Sequence, residues 1–199
     1  MFDTISIIQT VGLIGIFIIV FLESGVFFGF FLPGDSLLFT AGVFAAAGYL
    51  PVGALLLGCM IAAILGDSVG YFTGKHFGIR LFTKEDNIFF KKKYLIIAEK
   101  FYEKHGAKTI FFARFIPFVR TFAPIVAGIG NMKYRKFVTY NILGALIWPF
   151  VMFSLGYFIG SRIPNIEKYL PYIVGLIILV SLLPILIKFA VSKYKKSSI

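Results

Sequence analysis

Apolar residues fill this chain in runs as long as a bilayer is thick. Positions 11–32, about 36–73 with an interruption at Pro51, 109–130, 137–160 and about 170–187 carry few charges, and a transmembrane helix needs about 20 such residues. The polar positions gather between the runs, at 75–108 and 131–136, and in the tail after 187. This alternation predicts an all-α membrane protein with no soluble domain left over.

The pattern is violated most in one run. Residues 109–130, TIFFARFIPFVRTFAPIVAGIG, are as apolar as a span yet carry Arg114 and Arg120 and are interrupted by Pro117 and Pro124. An arginine at the centre of a lipid-facing helix costs about 3 kcal/mol on insertion scales. A proline removes a backbone donor and clashes with the preceding turn, and freed backbone groups survive at membrane depth only where protein or a water-filled cavity satisfies them. The segment is therefore predicted to be a broken, re-entrant helix that holds two fixed positive charges inside the protein.

Composition agrees: 59% of the 199 residues are hydrophobic, Phe occurs 25 times and Gly 20, and mean hydropathy is +0.91. The net charge of +11 would suit a nucleic-acid binder, but the basic residues flank apolar runs and form no separate basic face, which excludes that class. Cys59 stands alone in an apolar run, with no internal disulfide partner, and is expected to be a small packed residue. No Lys or Arg precedes the first run, so the N-terminus lacks the positive region of a cleavable signal peptide and is expected to be retained.

Charge asymmetry gives a topology. The first 74 residues hold no Lys or Arg, whereas 75–108 carry nine basic residues against four acidic ones. Basic loops stay cytoplasmic, so 75–108 is placed there with the tail bearing Lys188, Lys193, Lys195 and Lys196. The cluster NMKYRK at 131–136 joins them if 109–130 dips into the membrane and returns. Within the loop, Phe90, Tyr94, Ile97 and Phe101 recur at helical spacing and predict an interfacial helix over 85–105. Its Lys91, Lys92 and Lys93 either attract anionic lipids or are simply solvated.

Set against itself at an offset of 86 residues, the chain repeats. Ala41-Gly42 falls on Ala127-Gly128, Gly58 on Gly144, and GYFTG at 70–74 on GYFIG at 156–160. An odd number of crossings between the halves gives the two units opposite orientation, the arrangement typical of transporters whose broken helices meet near the midplane. The expected units are a first repeat over 11–74, the basic loop over 75–108, a second repeat over 109–160, and a C-terminal transmembrane helix with basic tail over 169–199. Each repeat is a re-entrant hairpin plus a spanning helix. The hairpin of the first is residues 11–48, with its turn near Pro33-Gly34-Asp35; the breaks and turns of the second are assigned to Pro117, Pro124 and Gly128.

Three acids lie within apolar runs. Asp35 is positioned either to cap the helix starting at Ser36 or to face the interior. Glu23 sits mid-run, where capping offers no explanation. Asp67 suits an interhelical hydrogen-bond acceptor or a functional acid, while His76 and His105 fall at loop edges, where solvation accounts for them.

Three stretches, ESGVFFGFFLPGD at 23–35, LGDSVGY at 65–71 and FARFIPFVR at 112–120, followed by Ala127-Gly128, together resemble the DedA family, also described as the VTT or SNARE-associated-Golgi type. The resemblance runs from about residue 11 to 160. It implies two facing re-entrant hairpins in a multi-pass protein of the bacterial cytoplasmic membrane. It also implies lipid translocation, including the return of undecaprenyl phosphate, or lipid scrambling, with dependence on proton-motive force. On the family's pattern Glu23, Asp35 and Asp67 match acidic functional positions, and Arg114 and Arg120 basic ones.

The side-chain chemistry fits these roles. A guanidinium binds phosphate bidentately and keeps its charge in a low-dielectric site, so Arg114 and Arg120 suit a lipid-phosphate headgroup. Desolvation pushes a buried carboxylate towards neutrality while a nearby Arg opposes this, and three acids against two arginines leave one carboxylate able to bind a proton reversibly. The expected partners are a lipid phosphate, protons and membrane lipids, with no nucleic acid, metal or cofactor; a homo-oligomer is compatible with the sequence. Three alternatives stand beside this reading: a general phospholipid scramblase, a proton-coupled transporter for small ions, and acids and arginines that merely pin the hairpins together. An enzyme acting on lipid phosphates would need a nucleophile with partners or a metal cluster, and neither His lies in an apolar run, so no catalytic residue is assigned.

Overall fold

The computed structural model describes residues 4–26, 32–78 and 100–163, together with Gly29 and Tyr172. Most of the expected interfacial helix over 85–105 and, Tyr172 apart, the expected C-terminal helix over 169–199 lie outside these residues. The described chain is all-helical: α1 (Thr4–Gly25), α2 (Gly34–Ala46), α3 (Val52–Thr73) continued by a wider π turn over Gly74–Gly78, α4 (Lys108–Ala113), α5 (Pro117–Ile129) and α6 (Tyr134–Arg162). Residues 100–105 are also helical.

Helix length separates these elements into two kinds. Val52–Phe77 and Tyr134–Arg162, with 26 and 29 residues, are long and apolar enough to cross a membrane, and at 1.5 Å per residue reach about 39 and 44 Å. By contrast α2 and α5 have 13 residues each and reach only about 20 Å, short of the roughly 30 Å hydrocarbon core.

The double-arginine run is broken as its sequence predicts, between α4 and α5. Arg114 directly follows α4, and Ile116 is extended (φ −110°, ψ 108°) before Pro117 in the first turn of α5. A proline disfavours helical conformation in the residue before it, and its missing N–H costs nothing at a helix start. Two of the breaks assigned from the sequence fall elsewhere, because Pro124 and Gly128 lie inside α5. Pro124 is fully buried, and a helix-interior proline is tolerated where neighbours enclose the freed backbone. The turn after α5 instead contains Asn131 at φ 49°, a left-handed conformation that Asn accepts more readily than most residues.

In the first apolar run the helix stops at Gly25, well before the run ends at 32, and α2 begins at Gly34 directly after Pro33. Gly48, at φ 82°, turns the chain between α2 and α3.

Packing interlocks the two halves of the sequence. α2 lies mainly on α6, while α5 lies on α3 and the π turn. The crossings are so close that a Cβ on Gly42 would strike the Phe153 carbonyl and the Tyr157 nitrogen, and one on Gly128 the Tyr71 carbonyl and the Lys75 nitrogen. Gly42 and Gly128 are 86 residues apart, as are Tyr71 and Tyr157, so each glycine meets the other half's long helix at the matching tyrosine, the Gly128 crossing lying one turn further along. One apolar core, with Val20, Leu38, Leu55, Cys59 and Trp148, joins α1, α2, α3 and α6. A second, with Tyr71, Ile110, Ala123, Ala127 and Phe137, joins α3, α4, α5 and α6. The Tyr102 hydroxyl donates to the Ala123 carbonyl at 3.0 Å, and burial pushes this phenol above its ordinary value, so it remains a donor.

The surface inverts the usual order of a water-soluble fold. Leu57, Ile61, Leu65, Val69 and Phe72 form an exposed stripe along α3, whereas Glu23, Asp67, Arg114, Arg120 and Asn141 are buried. Charged residues are almost never fully buried unless paired, and an exposed apolar stripe of this length suits lipid contact.

The crossings give a direct test. Gly42→Leu is expected to destabilise the protein by at least about 2 kcal/mol, since an added side chain must separate two backbones. Gly12→Ala, where no atom lies within 4 Å of the new methyl, is expected to stabilise α1 by roughly 0.5–1 kcal/mol. Thermal unfolding in detergent checks both.

Candidate functional site

The charged residues singled out in the sequence meet inside the helix bundle. Arg114 Nη2 donates to Asp67 Oδ2 on α3 and to Asn141 Oδ1 on α6, the latter at 2.5 Å. Asn141 Nδ2 in turn donates to the Ile64 carbonyl on α3 at 3.2 Å. One guanidinium therefore ties the break after α4 to both long helices.

Arg120, in the first turn of α5, splits its fork between two acids. Nη2 donates to Glu23 Oε1 near the end of α1, and Nη1 donates to Asp35 Oδ1 in the first turn of α2 at 2.6 Å. A planar guanidinium presents such paired donors in fixed geometry, so a single residue fixes where α1 ends and α2 begins.

α6 supplies the floor beneath both arginines. Asn141, Gly144 and Trp148 follow i, i+3, i+7 spacing and share a helix face. A Cβ at Gly144 would stand only 3.1 Å from Arg114 Cδ, so the arginine stem crosses where α6 lacks a side chain. The Trp148 ring centroid lies 4.5 Å from Arg120 Cζ and 5.9 Å from Arg114 Cζ, within cation–π range. Its indole Nε1 donates to Asp35 Oδ1 at 2.8 Å. Trp148 is equidistant in sequence from Tyr134 and Arg162, the ends of α6, so the cluster sits at the helix's mid-height.

Burial distinguishes the three acids. The side chains of Glu23 and Asp67 are 3% and 7% exposed, whereas that of Asp35 is 29% exposed. Glu23 lies against Gly34, where a Cβ would collide with its carboxylate, and its Oε2 has no hydrogen-bond partner among the described residues. Gly34 is thus required by the close approach of a charged group.

Every acid expected at the site lies in this network, and the roles can be compared. Asp35 stands in the first turn of α2, but the helix start has no side-chain cap hydrogen bond; its carboxylate goes to Arg120 and Trp148 instead. The surplus acid is not isolated, because Arg120 serves two carboxylates. Pro33 and Gly34 start α2 and Pro117 starts α5, while Pro124 and Gly128 act in packing. The exposed His76 and His105 bond to the Phe72 and Phe101 carbonyls, one turn earlier on their own helices. Sequence reasoning missed Asn141 and Trp148; their seven-residue spacing across Gly144 in an otherwise apolar span was the available signal.

The family described as VTT domain matches residues 32–158. "Protein DedA" of Escherichia coli (strain K12) is 47% identical over 171 residues, covering 85% of this chain and 78% of that protein. An "Uncharacterized membrane protein" of Mycobacterium tuberculosis (strain ATCC 25618 / H37Rv) is 44% identical over 178 residues, covering 88% and 78%. "Inner membrane protein YqjA" of Escherichia coli (strain K12) is 33% identical over 170 residues, covering 84% and 77%. No solved structure matches the chain.

Gly34→Ala is expected to drive the Glu23 carboxylate off Arg120 and cost on the order of 2 kcal/mol. In a Glu23→Ala background the same substitution should cost far less. Unfolding of both pairs in detergent measures the difference.

Proposed function

The chain belongs to the DedA family of VTT-domain membrane proteins, and on that premise we propose that it translocates a lipid phosphate, most specifically undecaprenyl phosphate, across the bacterial cytoplasmic membrane with coupling to protons. The observation that carries this reading is the buried Arg114 and Arg120 cluster at the mid-height of α6. Arginines are costly in an apolar interior unless they serve an anion, and a phosphate headgroup is an anion that must cross there while its chain stays in lipid.

In this reading α1 with α2, and α4 with α5, are two re-entrant hairpins of opposite orientation. The shortness of α2 and α5 and the recurrence of the Gly42 and Gly128 crossings support that arrangement. Loop 75–108 and the C-terminal tail lie on the cytoplasmic side, by the positive-inside rule.

At rest the acids neutralise the arginines. An arriving phosphate displaces one carboxylate, which takes up a proton and releases it on the other side. Glu23, Asp35 and Asp67 are the coupling acids, and Arg114 and Arg120 the headgroup ligands. The lipid is carried and not chemically altered, so the protein is no enzyme.

Reconstitution in vesicles with enzymatically accessible undecaprenyl phosphate tests the proposal. Wild type is expected to move the lipid faster with a pH gradient than without one. Arg120→Ala should lose at least about tenfold of that rate, the scale of one charge-assisted hydrogen bond, and Asp35→Asn should lose the response to the gradient. Equal movement of phosphatidylcholine would favour a general scramblase, and passage of a labelled small ion without lipid movement would favour an ion transporter.

A further inference from the structure

Arg120 has two acid partners, and their surroundings are unequal. Glu23 is 3% exposed and rests against Gly34, with its Oε1 held by Arg120. Asp35 is 29% exposed, and the oxygen that accepts from Arg120 also accepts from the Trp148 indole at 2.8 Å. Taking Arg120 away from Glu23 strands a buried carboxylate, a large penalty. Taking it away from Asp35 leaves a carboxylate that still holds the indole N–H and is open at the edge of the helix bundle.

We propose that Trp148 is a positioning residue that makes Asp35, not Glu23, the carboxylate displaced from Arg120 by an incoming phosphate monoester. This rests on the lipid-phosphate reading above. The phosphate takes over Nη1, the donor released by Asp35, while Nη2 stays with Glu23. Trp148 does two things in this exchange: its ring face, 4.5 Å from Arg120 Cζ, keeps the guanidinium plane in register, and its N–H retains the displaced acid. The hydrogen bond matters more after displacement, because the carboxylate oxygen is then no longer shared with a cation. The displaced state is therefore the one that loss of the indole donor penalises most.

The chain contains one Trp beside 10 Tyr, so fluorescence excited to the red of tyrosine absorption reports, within this chain, on Trp148 alone. The full-length protein in phosphatidylcholine nanodiscs is titrated with undecaprenyl phosphate, with phosphatidic acid and with inorganic phosphate, by fluorescence and by calorimetry. Wild type is expected to give a saturable emission change with the phosphate monoesters. Response to both lipids but not to inorganic phosphate identifies a lipid headgroup as the ligand; response to all three identifies the phosphate group itself. Asp35→Asn should bind about tenfold tighter, since the competing charge is gone while an acceptor for the indole remains. Glu23→Gln should not tighten binding.

Trp148→Phe, which keeps a ring over Arg120, should weaken calorimetric affinity severalfold in the native background and leave it unchanged in an Asp35→Ala background. Phosphate binding with Asp35→Asn unaltered, or with Trp148→Phe equally harmful in both backgrounds, overturns this proposal and leaves the translocation reading standing. Absence of any wild-type binding, together with silent vesicles, overturns both.

Discussion

Two guanidinium groups enclosed by helices that expose Leu, Ile, Val and Phe set the terms for the rest of this molecule. An unpaired charge in such an interior is costly enough to unfold a marginal protein, because removing one partner of a buried pair typically costs about 3–5 kcal/mol. Each arginine must therefore bring acceptors to it from several elements. Arg114 does so from α3 and α6, and Arg120 from the end of α1 and the start of α2. Short helices that are too brief to cross a bilayer are held in place by these same bonds and by the glycine crossings.

Electrostatics and close packing are coupled through backbone approach. Glycine at 34 leaves room for a carboxylate, at 144 for an arginine stem, and at 42 and 128 for the neighbouring helix backbone. In a lipid surrounding, helix association relies on packing and hydrogen bonds more than on hydrophobic burial. Small residues at crossings and polar residues between helices thus serve one requirement. Trp148, at the centre of α6, is where the requirements converge, because it joins the apolar core while touching both arginines and Asp35.

Much of this was legible in the amino-acid order. Arg114 and Arg120 alternating with Pro117 and Pro124 announced a broken helix, and the mid-run acids offered those charges counter-ions. Helix class and the two long helices followed from run length. What was not legible was which acid meets which arginine, since pairing depends on how α1 and α2 dock against α5, a tertiary matter. Pro124 and Gly128 were misread as breaks because each residue type serves packing inside a helix as readily as it serves a turn. Asn141 and Trp148 escaped notice because a lone Asn or Trp in an apolar span reads as an ordinary membrane residue until its three- and four-residue spacing across Gly144 is considered.

The pairing of Arg120 with Glu23 is the claim on which the others stand. A double-mutant cycle with Glu23→Gln and Arg120→Gln, read as unfolding free energy in detergent, measures it most directly. Each single change should be strongly destabilising and the pair much less so than their sum, with a coupling of about 2 kcal/mol or more. Effects that add to within about 0.5 kcal/mol would show that the two groups do not interact, and would contradict the account.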